Sequence, residues 1–187
     1  MSQIRGFVPW IVFVTVATRL DWRYGAAAGL VLAGGLLVAD RKAGRAWDEV
    51  VMETSGVAFF AVLGVVSLCV PESPLRNYAP ALSLAWLAVT AWTSVAIRRP
   101  FTLGIARRKA PREAWDSPLF RHINAVISGV WAAAFTVTSA GLAALLHEAP
   151  HATLAVIALK VVGFAAPALF TALYPSRALA RHARATA

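Results

Sequence analysis

Six apolar stretches, parted by short polar ones, run through the chain: Phe7 to Leu20, Tyr24 to Ala39, Glu53 to Val70, Ala79 to Ile97, Asn124 to Leu146 and Thr153 to Tyr174. A helix needs about 20 residues to cross roughly 30 Å of hydrocarbon, and the last four stretches meet or nearly meet that length. The first two are shorter, with only Asp21, Trp22 and Arg23 between them. They read as a tight hairpin of two spans whose ends extend into the interface. The alternative is a re-entrant pair, whose non-helical backbone must be surrounded by protein. The pattern predicts an all-α, polytopic transmembrane bundle: a single integral membrane domain over 1–187 with about six spans.

The longest polar interruption, Arg98 to Arg121, orients the rest. With both termini cytoplasmic, the inner side carries Arg5; Arg41, Lys42 and Arg45; Arg98, Arg99, Arg107, Arg108, Lys109, Arg112 and Arg121; and Arg177, Arg181 and Arg184. The outer side carries Arg19, Arg23 and Arg76. Fourteen against three is the asymmetry that holds basic loops in the cytoplasm, so both termini are expected inside.

Prolines punctuate this scheme. Pro71, Pro74 and Pro80 bracket one outer turn, Pro100, Pro111 and Pro118 divide the basic loop, and Pro150 marks the last outer turn. Pro9 and Pro167 fall inside apolar segments, where a missing amide hydrogen kinks a helix. Gly25 and Gly29, continued by Gly34 and Gly35, give the second segment a small face on which a helix can approach closely. Trp86 and Trp92 lie well inside the fourth segment and are expected to pack within the bundle.

Composition supports the membrane reading. Hydrophobic residues make up 59% and charged residues 14%, with a mean hydropathy of +0.64, whereas soluble domains carry about 25% charged residues. The net charge of +9 resembles that of a nucleic-acid binder. Its confinement to short loops between apolar spans instead points to the anionic lipids of a cytoplasmic leaflet, and nucleic acid is not expected as a partner. One cysteine, Cys69, forms no intramolecular disulfide, and no Cys/His spacing matches a metal site. The first segment superficially resembles a signal peptide but shows no clear small-x-small cleavage site, so it is read as a span.

Three features bear on chemistry. Lys160 is the one formal charge inside the longer spans, about 10 Å from the outer end at Thr153. It either snorkels outward or pairs with an outer acid such as Glu72 or Glu148, or it handles a substrate or proton between helices. Asp48, Glu49 and Glu53 enter the third span, where acids complement the helix dipole. Arg98, Arg99, Arg107, Arg108, Lys109 and Arg112 are interleaved with Phe101, Leu103, Ile105 and Trp115. That mixture fits either a segment lying on the leaflet, its bases on lipid phosphates, or a solvated basic loop. The four histidines share no spacing, and no catalytic residue, metal ligand or cofactor is assigned.

Several short motifs occur in a recognisable order: FVPWIVF with Pro9, IRRPFT through Thr102, FRHIN ending in Asn124 followed by Trp131 and Phe135, and LKVVGF at Lys160. In this the chain resembles the intracellular septation protein A family of small bacterial inner-membrane proteins. It differs in carrying Phe120 where that family tends to have Trp, and in its Ala- and Arg-rich tail. The resemblance implies a multi-pass protein of the bacterial inner (cytoplasmic) membrane, associated with envelope synthesis and division and with partners in those machineries, in a family for which no enzymatic reaction is established. The expectation is therefore a non-enzymatic scaffold or accessory subunit, with membrane-protein partners or a homo-oligomer. The alternative is a small transporter or lipid-handling protein that uses Lys160 and the kinks at Pro9 and Pro167.

Overall fold

A computed structural model describes residues 5–108, 110–149 and 151–185; Lys109, Pro150 and the side chain of Asp48 lie outside what it describes. Among the described residues there are helices and no strands. After a 3-10 turn at Arg5–Phe7 come α1 (Val8–Arg19), α2 (Trp22–Lys42), α3 (Val51–Cys69), α4 (Ala79–Ala96), α5 (Phe101–Arg107), α6 (Pro118–Glu148) and α7 (Thr153–Ala185). Five are long and apolar enough to cross a membrane: α2, α3, α4 with its preceding turn, α6 and α7. The first predicted span is helical but only 12 residues long.

The chain forms two compact units, Met1–Trp86 and Leu87–Ala187. In the first, α1, α2 and α3 pack up, down and up. An added Cβ on Gly25 would stand 2.9 Å from the Phe13 carbonyl oxygen and 3.0 Å from Ala17, so α1 and α2 touch backbone to backbone there. One on Gly29 would stand 2.7 Å from the Phe60 ring of α3. The Gly25 and Gly29 part of the small face is thus filled by helices of the same chain, while nothing lies within 4 Å of a Cβ at Gly34 or Gly35. Around it Trp10 stacks on Phe59 at 4.9 Å, Phe13 meets Phe60 at 5.4 Å, and Trp86 meets Phe59 at 5.6 Å while its Nε1 donates to Ser55 Oγ at 2.9 Å. Lipid is as apolar as these rings, so close packing rather than escape from water holds them.

In the second unit α6 and α7 run antiparallel. Trp131 Nε1 donates to Thr171 Oγ1 at 2.9 Å, Gly163 sits against Thr138, and Gly141 against Leu159. Trp131, Phe135 and Phe164 form an edge-on aromatic group at this seam. Trp92, expected inside the bundle, is 48% exposed and donates to Thr136 at 3.1 Å. α7 runs through Pro167 and Pro175 to Ala185, well past the expected end at Tyr174, because the tail is rich in Ala, a strong helix former.

Candidate functional site

Polar and charged side chains gather in four places. The first lies at the end of the N-terminal unit where α2 stops. Asp40 is 2% exposed and holds Arg45 Nε at 3.2 Å and Arg5 Nη1 at 3.5 Å. The Arg45 amide also donates to the Asp40 carbonyl at 3.2 Å, closing the turn, and Arg41 lies over the Trp47 ring at 4.3 Å. Glu53 is buried nearby, beside Gly6. One carboxylate therefore ties the start of the chain and the loop after α2 to a single point. Sequence reasoning passed over Asp40; the available signal was a lone acid set among bases in ADRKAGR.

At the opposite end of this unit Asp21 caps α2, accepting from Arg23 N at 2.8 Å and Arg23 Nε at 2.9 Å. These bonds, the side-chain one foremost, hold its carboxyl below the usual carboxylate range. Glu72 pairs with Arg76 at 2.6 Å, and Trp22 Nε1 donates to the Pro71 carbonyl at 3.2 Å.

The third place explains two of the motifs. Arg98 takes φ +58, which ends α4, and Pro100 caps α5. The Phe101 amide then donates to Ser94 Oγ at 3.1 Å. Thr102 Oγ1 donates to the Asn124 carbonyl at 3.0 Å and lies 2.9 Å from Ser128 Oγ, while Asn124 Nδ2 donates to the Phe120 carbonyl at 2.8 Å. IRRPFT and FRHIN thus meet in space as a buried clasp between α5 and α6. These hydrogen bonds lock the α4–α5–α6 turn, so the clasp reads as a structural joint.

The basic loop is folded. Arg107 and Arg112 flank Trp115 at 5.3 and 5.8 Å, and Trp115 Nε1 donates to the Ala110 carbonyl at 3.1 Å. Phe101 and Leu103, which an interfacial segment would dip into lipid, are 3% and 8% exposed and pack inside the protein. Arg98, Arg99 and Arg112 are exposed, and Arg107 and Arg108 are half-buried.

Lys160 lies on the side of α7 that meets α6, since Gly163, Phe164, Pro167 and Thr171 follow it at helical spacing and three of them touch α6. It is half-buried, and among the described residues no ion pair or hydrogen bond reaches its ammonium. The acids expected to meet it are engaged elsewhere: Glu72 with Arg76, and Glu148 near His147 at 3.9 Å. No group of three His, Cys, Asp or Glu able to hold a metal occurs among the described residues. Compared with known proteins, the chain matches no family model, no curated protein and no solved structure.

Proposed function

We propose that this is a six-span membrane protein with cytoplasmic termini that serves as a non-catalytic scaffold or accessory subunit. The observation that carries this reading is the exposure of α7. It buries 6% of its apolar window, against 28–44% for the other four long helices, while most polar side chains of the interior are engaged in joints of the fold. An accessory subunit needs such a face to offer.

Six crossings are favoured by the course of α1. With its 3-10 turn it starts beside Met52 and Glu53 and ends next to the turn where Trp22 meets Pro71, so it covers the same two ends as α2 and α3. Reporter fusions after residues 45, 110 and 187 are expected to read cytoplasmic, and one within 72–78 external. An N-terminal tag that reads external while 45, 110 and 187 stay cytoplasmic would replace this topology with five crossings, α1 not crossing. The charge asymmetry and the resemblance of the motifs both favour the bacterial inner membrane and its envelope machinery, with anionic lipids against the exposed Arg98, Arg99 and Arg112.

Affinity capture from solubilised membranes is expected to return an integral membrane partner in stoichiometric amount. Recovery of the chain alone under mild detergents sinks the accessory reading. A second reading, a small transporter or lipid-handling protein, draws on Lys160 beside the seam and on Pro167, which frees the Gly163 carbonyl.

A further inference from the structure

We propose that Lys160 anchors a carboxylate carried inside the membrane by a transmembrane helix of a different polypeptide, seated on α7 where it borders α6. The inference rests on the accessory-subunit reading and names the chemistry of the partner. An ammonium at this depth is costly unless paired, and the described part of the chain gives Lys160 no counter-ion. Its position seven residues from Thr153 places its Cα about 10 Å below the outer end of α7. The extended side chain covers only about 6 Å of that. A lipid phosphate at headgroup level then requires the bilayer to thin toward the ammonium, whereas an acid on a neighbouring helix meets it at its own depth.

The surrounding surface suits a helix. Ile157 and Val161, on the flank of α7 next to Lys160, are 51 and 59% exposed, so apolar side chains border the charge on its open side. A second copy is disfavoured by charge: α7 holds no Asp or Glu between Thr153 and Ala185, and a symmetric contact through α7 at this depth sets Lys160 against Lys160. The occupant is an apolar helix with one Asp or Glu in its outer-leaflet part.

The test uses the full-length chain, fluorescently labelled, in phosphatidylcholine vesicles. The probe is a synthetic Leu/Ala helix of about 23 residues carrying one Asp about seven residues from its outer end, and the control carries Leu there. Energy transfer is expected to show the Asp helix associating about tenfold more tightly than the control, a difference of about 1.4 kcal/mol. Lys160→Met is expected to reduce the Asp helix to the control level, and Lys160→Arg to keep most of the difference. Retention on size exclusion shows that both variants fold. Equal binding of the two helices, or undiminished binding of the Asp helix by Lys160→Met, overturns the pairing. Loss of the Lys160-dependent signal when phosphatidylglycerol is added also overturns it and assigns the site to a lipid phosphate. If the pairing fails while a stoichiometric partner is still captured from membranes, the accessory reading stands and its contact lies elsewhere.

Discussion

Asp40→Ala is expected to lower the stability of the protein by about 2 to 3 kcal/mol, seen as a fall of roughly 5 to 10 °C in the melting midpoint in detergent. The carboxylate is almost wholly buried and holds two guanidiniums, Arg45 at 3.2 Å and Arg5 at 3.5 Å. Its removal leaves both without a counter-ion where Arg41 and Lys42 already crowd positive charge. The two arginines retain 26% and 40% of their side-chain exposure, so solvent repays part of the loss and the figure lies below that of a fully enclosed pair. Asp40→Asn is expected to fall between wild type and Ala, and Arg5→Ala to cost less than either. An Asp40→Ala protein that melts with the wild type removes the tether from the description of this fold.

Gly25→Val is expected to cost about 2 to 3 kcal/mol, near the upper end of overpacking effects. The atoms facing position 25 are the Phe13 carbonyl oxygen and the backbone and Cβ of Ala17, none of which can rotate away. α1 must then move off α2. Because Leu20 and Asp21 alone join the two helices, that movement swings Trp10 and Phe13 away from Phe59 and Phe60. The check is thermal unfolding followed by tryptophan fluorescence. Gly34→Val serves as a control, since nothing lies within 4 Å of that site and little change is expected. Equal shifts for the two variants would show that the close crossing at Gly25 is not what holds α1.

Much of the architecture was legible because hydropathy registers burial in lipid directly. The third, fourth and fifth apolar stretches each lie on a helix, with ends within two residues for α3 and α4; α6 begins at Pro118, six residues ahead of the stretch. What escaped was tertiary. α5 was hidden inside a segment that looked like a basic loop, because its helix is fixed by Ser94, Asn124 and Ser128, residues distant in sequence. Asp40 was hidden for a related reason: one acid beside three bases reads as a solvated loop until Arg5, 35 positions earlier, is seen to reach it. Lys160 was found by its chemistry alone, yet its orientation toward α6 needed the phase of α7, which the contacts of Gly163 and Thr171 supply. Gly25 and Gly29 gave a small face by their spacing, but which helices lie against it, α1 at Gly25 and α3 at Gly29, is not written in that spacing.

The brevity of α1 reaches beyond the protein. From Arg5 to Arg19 the chain rises about 24 Å, some 6 Å less than a typical hydrocarbon layer. Ile11 and Thr15 face outward, so on the six-crossing reading lipid tails stand against this short wall. On that reading the bilayer beside it would thin, at a fraction of a kcal/mol per Å, with Arg5 and Arg19 drawing the two headgroup layers together. The flank of the membrane along α1 would then be a shallow dimple that favours shorter-chained lipids.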